Sequence, residues 1–536
     1  MEKVARLFSF KTPKMVGIRP DSVLLTFILL IASFFRLYKI EAYMTFLGDE
    51  GRDMIAIYNI LHGDLTLLGP ASSVGGFFLG PIYYYFAAPF LFLANYNPVG
   101  PSVMVALFGI ATVYLVYKLG KEFFSEKAGL VAAFLYAISP VAITYSKSSW
   151  NPNIVPFFSV VTLYFLYKGK EKNNKILLFL SGLTFGVLMQ LHYLATFIGA
   201  VMLLFIFFSS LSGVKEKIKS FKIFFKDSLI VFSGFFLGFL PFFVFELRHN
   251  FLNTKNIISF IFSSEETGLS LSLLSQVWHV LERAFPGLVF NYPLSSQYHV
   301  YSEEFLIVWF LLSIFLGLSS IAFFLFSIRK HLTSGKNLFF LLWLFVPLIL
   351  FGLYRKDIYD YYLGIIFPLP FLLIGNLLYY ISAKKFGGLK NFAKPLGIFL
   401  LVIIVLLNIQ RNPFSRGPNH QVNQARVTTS FVLSKTEEKP FNFGLVSGGN
   451  SDHAYRYFFK LAGREPVTIL NPQQDPQRKT VTDQLLVVCE VADCHPLGNP
   501  AWEIAGFGRA EIEAEWKVIV LKVIKLKHFF NMISIS

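Results

Sequence analysis

Residues 303–327 read EEFLIVWFLLSIFLGLSSIAFFLFS, and no charged residue follows Glu304 until Arg329. A helix that crosses a bilayer needs about 17–25 mainly apolar residues, because the hydrocarbon core is roughly 30 Å thick. This stretch therefore predicts a membrane span, and similar apolar runs recur from Leu24 to Leu407. The 536 residues are 54% hydrophobic and 15% charged, whereas soluble domains are about 45–50% apolar and about 25% charged. The sequence predicts an all-α polytopic membrane protein.

The basic residues predict how the chain is threaded through the membrane. Clusters of lysine and arginine alternate with the apolar runs, and such clusters favour the cytoplasmic side. The N-terminal cluster precedes a first span without a small-residue cleavage site, so we expect a retained span and a cytoplasmic N-terminus. Eleven spans result, which places the C-terminus outside: 22–37, 99–119, 128–146, 152–168, 176–190, 193–209, 228–246, 303–327, 338–353, 361–381 and 395–410.

The chain is predicted to have two domains. Residues 1–410 form the membrane domain, with outer loops 41–97 and 247–302, and Pro81–Ala94 is an aromatic helix at the membrane surface. Residues 411–536 form a small extracytoplasmic α/β domain, because short β-type runs alternate there with a helical pattern. The predicted elements are strands at Phe441–Ser447, Gln484–Cys489 and Trp516–Lys525 and a helix at His453–Ala462.

Charge and cysteine content exclude several classes of function. The formal net charge of +16 resides in short clusters between apolar runs, so membrane lipids rather than nucleic acid are the expected partners. Only two cysteines are present, which excludes a cysteine-based zinc site in the membrane domain. Cys489 and Cys494 lie five residues apart in the tail, where a disulfide and free thiols are both compatible with the sequence.

The first outer loop contains the most unusual polar residues. It reads Phe46-Leu-Gly-Asp49-Glu50-Gly-Arg52-Asp, followed by an amphipathic stretch to His62. A carboxylate at the membrane surface can accept a proton from an attacking alcohol, and a guanidinium can hold a phosphate in a fork. The alternative is a solvated helix N-terminus, where the helix dipole favours acidic residues.

Other outer polar residues are further candidates for binding a substrate. Lys147 is suited to a lipid phosphate or to snorkelling towards headgroups, and His192 to a substrate hydrogen bond or to a structural role. Arg248 and His249 end a span, where ionisable residues often have a function, although an ion pair between Arg248 and Glu246 is an alternative. A basic and aromatic outer segment follows later in the chain and includes Arg355 and Tyr361.

The order and spacing of these features resemble the GT-C superfamily of membrane glycosyltransferases, in particular its protein mannosyltransferase-like branch. The resemblance covers about residues 20–410. Those enzymes have an acidic-acidic-x-Arg motif in the first outer loop, which Asp49, Glu50 and Arg52 match. An aromatic juxtamembrane helix then starts near a proline, as it does here at Pro81.

The resemblance implies roles for individual residues. It makes Asp49 the catalytic carboxylate, beside Glu50, and Arg52 a ligand of the donor phosphate. Two departures require other donor contacts: Gly80 occupies a position where many relatives have lysine, and an asparagine replaces an aspartate in the second outer loop. Lys147, Arg248 and Arg355 are the predicted replacements, and the segment with Tyr361 resembles one that lies close to the donor lipid.

Two functions of different classes follow from these observations. The first is an inverting transfer of a sugar from a polyprenyl-phosphate-linked donor to a hydroxyl of a glycan, lipid or protein acceptor at the extracytoplasmic face. The second is a non-catalytic transporter or flippase of polyprenyl-linked glycans. A flippase needs ionisable residues on both sides of the bilayer midplane, whereas here they cluster outside.

Some GT-C enzymes use a divalent ion, and one acidic pair is too small a ligand set to decide whether this chain does.

Overall fold

The computed structural model describes residues 20–72, 76–211, 216–263, 273–354, 357–383 and 390–529. The helices are α1 (Pro20–Leu37), α2 (Ile40–Tyr43), α3 (Gly48–Leu61), α4 (Ile82–Leu93), α5 (Val99–Phe123), α6 (Glu126–Ile138), α7 (Pro140–Tyr145), α8 (Val155–Glu171), α9 (Lys175–Leu191), α10 (Thr196–Leu211), α11 (Lys217–Gly238), α12 (Leu240–Arg248), α13 (Leu252–Ser263), α14 (Leu273–Glu282), α15 (Glu303–Ile328), α16 (Gly335–Gly352), α17 (Pro368–Ser382), α18 (Lys390–Gln410), α19 (Gln421–Ser434), α20 (His453–Leu461) and α21 (Trp502–Ala505). The strands are β1 (Asn442–Val446), β2 (Gln484–Cys489), β3 (Ala510–Val518) and β4 (Leu521–His528).

A helix occupies every segment predicted to cross the membrane, which confirms the helical membrane fold. Within the described ranges, six helices are long and apolar enough to span a bilayer, or seven if the bent pair α11 and α12 forms one crossing. Three shorter apolar helices, α4, α9 and α17, add to these. The count of eleven spans stays a prediction, since several predicted spans are represented by shorter helices.

Local breaks explain why these helices are short. The predicted span 128–146 is divided between α6 and α7 at Ser139, whose side chain caps α7 just before Pro140. The spans predicted to begin at 152 and 361 start with 3₁₀ turns at Asn151–Ile154 and Asp360–Ile365. Proline at the start of a helix lacks the N–H that would continue the preceding turn, so it favours such interruptions.

The tail contains a four-stranded sheet of order β1-β2-β4-β3, in which β1 and β2 are parallel and the other pairs antiparallel. The predictions for β1, β2 and α20 are confirmed to within a residue. The single closing strand predicted at Trp516–Lys525 is wrong, because the chain reverses at Ile519, which has a φ of 55°. Two strands of a hairpin, β3 and β4, replace it. The β-branched residues in the turn make the sequence look like one continuous strand.

The structure also resolves the question of the two cysteines. Cys489, the last residue of β2, forms a disulfide with Cys494.

Candidate active site

The N-terminus of α3 is held by contacts from both parts of the chain. The Glu50 carboxylate accepts a hydrogen bond from the Leu47 N–H at 3.0 Å, which fixes the turn that leads into the helix. Two side chains of the tail accept from neighbouring backbone groups: Gln421 from the Phe46 N–H at 2.9 Å, and Asn450 from the Gly48 N–H at 2.8 Å. The first N–H groups of a helix have no partner within the helix, so outside acceptors stabilise it.

Arg52 connects two carboxylates on the first turns of α3. Its Nη1 donates to Asp49 Oδ1 at 2.8 Å, and its Nε and Nη2 donate to Asp53 Oδ1 at 3.1 and 2.8 Å. The two carboxylates differ in environment, because the Asp49 side chain is 54% exposed and the Asp53 side chain is fully buried. Asp49 is therefore the accessible carboxylate of the pair, and the buried Asp53 holds the guanidinium in place.

Burial controls the electrostatics of this cluster. Burial raises the pKa of Asp53 to about 6, against the opposing effect of Arg52, and raises the pKa of Glu50 to about 7. Burial lowers the pKa of Arg52, but the nearby Asp53 and Asp49 outweigh it, so the net shift is upward and the guanidinium stays charged. The second oxygen of Asp53, Oδ2, is buried without a hydrogen-bond partner. A buried acceptor of this kind is costly unless something binds it.

The aromatic helix α4 supports the cluster from the other side. The Tyr84 hydroxyl donates to Asp53 Oδ1 at 3.2 Å. The neighbouring Tyr83 hydroxyl lies 2.7 Å from the Ser149 hydroxyl in the second outer loop. The two tyrosines thus tie the acidic cluster to the loop that also carries Lys147.

Glycines let α3 approach the tail at backbone distance. A Cβ atom at Gly48 would lie 2.0 Å from Ser451 Oγ, and a Cβ at Gly51 would lie 2.3 Å from the Ala454 nitrogen. Any larger side chain would force α3 away from the start of α20. This contact brings His453 next to the cluster, where burial lowers its pKa and Asp49 and Arg52 act on its charge.

Lys147 lies in an aromatic cage rather than in an open cleft. Its residue exposure is 1%, and its Nζ lies 4.0 Å from the ring centre of Phe414 and 4.9 Å from that of Tyr43. Nζ also donates to the Tyr38 carbonyl at 3.4 Å. Burial, followed by the charge of Arg36, lowers the pKa of Lys147 to about 8. The role of Lys147 as a donor contact stays a prediction.

His192 and Tyr361 meet in a cluster of rings. The His192 ring stacks on Tyr193 at 4.7 Å and lies 5.9 Å from the Tyr361 ring. Trp150 packs edge-on against Tyr361 at 4.7 Å. His192 Nδ1 accepts from the Leu194 N–H at 3.2 Å, and burial lowers the pKa of this histidine to about 3, so its ring is neutral. These contacts bring two of the predicted residues together, beside the second outer loop.

Arg248 and His249 lie at the C-terminal end of α12. Arg248 is exposed at the end of α12, and the His249 ring stacks on Phe245 at 4.0 Å. The Glu246 carboxylate accepts from the N–H groups of Asn253 and Thr254 at 3.1 and 2.9 Å, so it caps the start of α13. Arg355 lies outside the described residues.

Comparison with known proteins adds to this geometry. Residues 79–240 match the family described as Dolichyl-phosphate-mannose-protein mannosyltransferase. YkcB of Bacillus subtilis (strain 168), named as a candidate mannosyltransferase, is 29% identical over 119 residues, which are 22% of this chain and 16% of YkcB. The crystal structure of ArnT from Cupriavidus metallidurans bound to undecaprenyl phosphate superposes with a TM-score of 0.57 over 94% of this chain and 97% of ArnT, at 11% identity. The chain has the GT-C fold.

A second solved structure has the same GT-C architecture. Archaeal oligosaccharyltransferase AglB from Archaeoglobus fulgidus, in complex with an inhibitory peptide and a dolichol-phosphate, superposes with a TM-score of 0.52 at 14% identity. The superposition covers 87% of this chain and 69% of AglB. The resemblance inferred from the first outer loop is thereby confirmed at the level of the fold.

The site also contains residues outside the predicted motif. Asp53 directly follows the acidic-acidic-x-Arg motif and holds Arg52 through two hydrogen bonds. Its position one turn after Asp49, next to the arginine, is a usable signal. Asn450 and His453 lie about 400 residues away in the chain, and no local pattern links them to α3.

In each carboxylate of the acidic cluster on α3, one oxygen already accepts a hydrogen bond within the protein. The Glu50 carboxylate is turned to the Leu47 N–H, and Asp53 Oδ1 is held by Arg52 and Tyr84. Among the described residues, no group of three or more His, Cys, Asp or Glu side chains lies close enough together to hold a metal ion.

Proposed function

We propose that this protein transfers a sugar from a polyprenyl-phosphate-linked donor to an acceptor hydroxyl at the extracytoplasmic face of the membrane. The observation that supports this most directly is the exposed carboxylate of Asp49, which shares Arg52 with the buried Asp53 inside a GT-C fold. An accessible base beside a fixed guanidinium is suited to a reaction in which a proton leaves a hydroxyl and a phosphate departs.

The reaction is a single displacement with inversion. The acceptor oxygen forms a bond to the anomeric carbon, and the bond between that carbon and the phosphate oxygen breaks, with its electron pair leaving on the phosphate. Asp49 accepts the hydroxyl proton as general base, which contributes about 10²–10⁴-fold to such reactions. Glu50 orients the loop, since its carboxylate is committed to the Leu47 N–H.

Arg52 is suited to the departing phosphate. A guanidinium has five N–H donors, and the contacts to Asp49 and Asp53 use three of them. Two donors therefore remain for phosphate oxygens, while Asp53 and Tyr84 hold the side chain in one orientation. A positive charge fixed in advance stabilises the charge that develops on a leaving group.

The comparisons support a polyprenyl-linked donor. ArnT was solved with undecaprenyl phosphate and AglB with a dolichol-phosphate, and the matched family is named after dolichyl-phosphate-mannose. The rings around His192 and Tyr361 offer flat apolar surfaces to a sugar or an isoprenoid chain. Lys147, Arg248, His249 and Arg355 remain proposed contacts of the donor.

A transfer assay tests the proposal. Membranes containing the protein are incubated with radiolabelled polyprenyl-phosphate sugars of several sugar types, with and without a chelator, and label in lipid, glycan and protein fractions is counted. We expect one donor class to label an acceptor, and the chelator arm measures whether a divalent ion is needed. Translocation of a polyprenyl-linked glycan across the bilayer without transfer would overturn the proposal in favour of a flippase.

A further inference from the structure

The sheet of the tail presents one edge to the helix α3. Parallel strands carry the loops that follow their carboxyl ends at the same edge of a sheet, where ligand and partner contacts concentrate. The strands β1 and β2 are parallel and end at Val446 and Cys489. Asn450 follows β1 and Glu490 follows β2, and the Asn450 Nδ2 donates to Glu490 Oε2 at 3.2 Å.

The surrounding contacts fix the orientation of the Asn450 amide. Its Oδ1 accepts from the Gly48 N–H at 2.8 Å, while its Nδ2 faces the Glu490 carboxylate. The Tyr455 hydroxyl donates to the other Glu490 oxygen, Oε1, at 2.7 Å. The Asn450 backbone is held as well, because its N–H donates to Ser447 Oγ at 2.9 Å. A flipped amide would place donor against donor at Gly48.

The contact at Asn450 therefore determines where α3 begins. Gly48 immediately precedes Asp49, and a hydrogen bond from its N–H fixes the first residue of the helix relative to the sheet. The close approach of Gly51 to the Ala454 nitrogen provides a second fixed point one turn later. A movement of the loop 447–453 would move the Asp49 carboxylate with it.

We propose that Asn450 is a positioning residue of the active site, through which the C-terminal sheet holds Asp49 and Arg52 in their reactive arrangement. This inference rests on the proposed function, since it concerns the same carboxylate. It assigns to the tail a part in the chemical step, in addition to any contact with the acceptor. Small displacements of a catalytic group reduce the rate strongly, because the reacting atoms must be aligned.

In the contact between Asn450 and Glu490 the amide donates and the carboxylate accepts. Exchanging the two roles by a pair of substitutions therefore allows a rescue experiment. In Asn450→Asp an oxygen still accepts from the Gly48 N–H, but the second oxygen faces the Glu490 carboxylate and is repelled. In Glu490→Gln the amide oxygen can accept from only one of the two former donors, so when it accepts from the Asn450 Nδ2 its nitrogen faces the Tyr455 hydroxyl, which then has to accept instead of donate. In the double variant the introduced glutamine can donate to the introduced aspartate and still accept from Tyr455, so the hydrogen-bond pattern is restored.

Two readouts are compared in wild type, both single variants and the double variant. The first is kcat and KM of transfer with the donor found in the panel. The second is hydrogen exchange of residues 45–54, which does not depend on activity. We expect Asn450→Asp to lose about tenfold in kcat with little change in KM for the donor and to exchange faster, Glu490→Gln to lose less because its amide can turn, and the double variant to recover most of what Asn450→Asp loses.

Asp475→Asn is the matched control. Its carboxylate caps another loop of the same sheet, through the N–H groups of Lys479 and Thr480 at 2.9 and 2.7 Å. This variant perturbs the tail without touching α3, so kcat and exchange at 45–54 should stay at wild-type values. An equal loss of kcat in Asp475→Asn would show that tail stability alone matters and would overturn the inference.

The remaining outcomes separate the inference from the proposed function. Unchanged exchange at 45–54 in Asn450→Asp, or an unrescued double variant, overturns the positioning role even if the protein transfers sugar. Faster exchange with wild-type kcat also overturns it. If the wild type transfers sugar from no donor, the proposed function fails, and the positioning of Asp49 for catalysis fails with it. In that case restored exchange in the double variant would still show the structural contact.

Discussion

At one end of the helical bundle several lysines form close ion pairs with carboxylates, whereas at the end that carries α3 the buried Arg36 and Lys147 form none within the described residues. At the first end, which the charge pattern places inside, ion pairs join different helices: Lys121 with Glu126 at 2.7 Å, Lys168 with Glu122 at 2.8 Å, and Lys170 with Asp227 at 2.6 Å. Lys168 also pairs with Glu171 of its own helix at 2.6 Å. In such a pair each charge already has an opposite charge beside it, so a charged ligand would gain little binding energy there.

The end that carries α3 is organised differently. Arg36 is fully buried and donates to the carbonyls of Ala137 and Tyr136 at 3.0 and 3.4 Å, while its Nε has no partner. Lys147 lies beside it among aromatic rings. Buried charge without a matching charge is costly and is retained mainly where it serves a function. The difference agrees with the proposal that an anionic donor binds at this end.

A topology reporter tests which end faces outward, and its effect is all or none. Alkaline phosphatase fused to the C-terminus should be active, because the eleven crossings and the inside N-terminus that the sequence predicts place the tail outside. The same enzyme inserted between Lys172 and Asn174, at the end with the closed ion pairs, should be inactive. Activity only from a cytoplasmic reporter at the C-terminus would contradict the arrangement.

Removing a carboxylate at each end should have unequal effects. Asp49→Asn preserves size but removes the base, so transfer should fall by about 10²–10⁴-fold while donor binding persists. Glu126→Gln removes a carboxylate that pairs with Lys121 at the other end and should leave transfer near wild type. The measurement is kcat together with donor affinity in membranes. If Asp49→Asn retains transfer and Glu50→Gln abolishes it, the base is the neighbouring residue.

Conservative changes of the two cations should differ less strongly. Arg52→Lys keeps the charge but loses the planar fork, and charge-assisted hydrogen bonds contribute about 1.5–3 kcal/mol. We expect donor binding to weaken by about tenfold or more. Lys121→Arg, at the closed end, should bind donor as the wild type does. Donor titration of both variants measures this, and unchanged affinity in Arg52→Lys would count against a phosphate contact.

The parts of the molecule that depend on local sequence were predictable. Apolar runs identify the spans, since burial in a bilayer needs nothing beyond the segment itself. The acidic-acidic-x-Arg pattern likewise identifies Asp49 and Arg52, because residues three apart share a face of a helix. The contact of the two is then found in the structure at 2.8 Å.

The parts that depend on distant contacts were not predictable. The acceptor that fixes the Gly48 N–H is Asn450, which a single sequence cannot place next to the first loop. The sequence predicts that Lys147 lies in an outer loop, but it does not show that the ring of Phe414 lies over its ammonium group. The hairpin at Ile519 was missed for the opposite reason, since its residues have strand propensity although the chain turns there.

The smallest expected effect concerns the pH dependence of α3. Burial raises the pKa of Glu50 from 4.5 to about 7. Between these two pH values the folded protein keeps the proton on Glu50, whereas the unfolded chain has released it. The contribution of Glu50 to the stability of the folded state is therefore complete below about pH 4.5 and is lost as the pH rises through 7. The difference corresponds to about 3 kcal/mol, and the buried Asp53, with a pKa of about 6, acts in the same direction.

Hydrogen exchange of the α3 amides at pH 5 and pH 8, corrected for the intrinsic rate, measures this local stability. We expect the free energy of opening to be higher at pH 5 in the wild type. Glu50→Gln should reduce this difference, because a glutamine has no proton to lose, whereas Glu126→Gln should preserve it. We expect the pH dependence that remains in Glu50→Gln to come from the titration of Asp53. If Glu50→Gln keeps the full pH dependence, the proton that α3 binds resides on Asp53 rather than on Glu50. The electrostatic difference between the two ends of the bundle then depends on the Asp53–Arg52 pair.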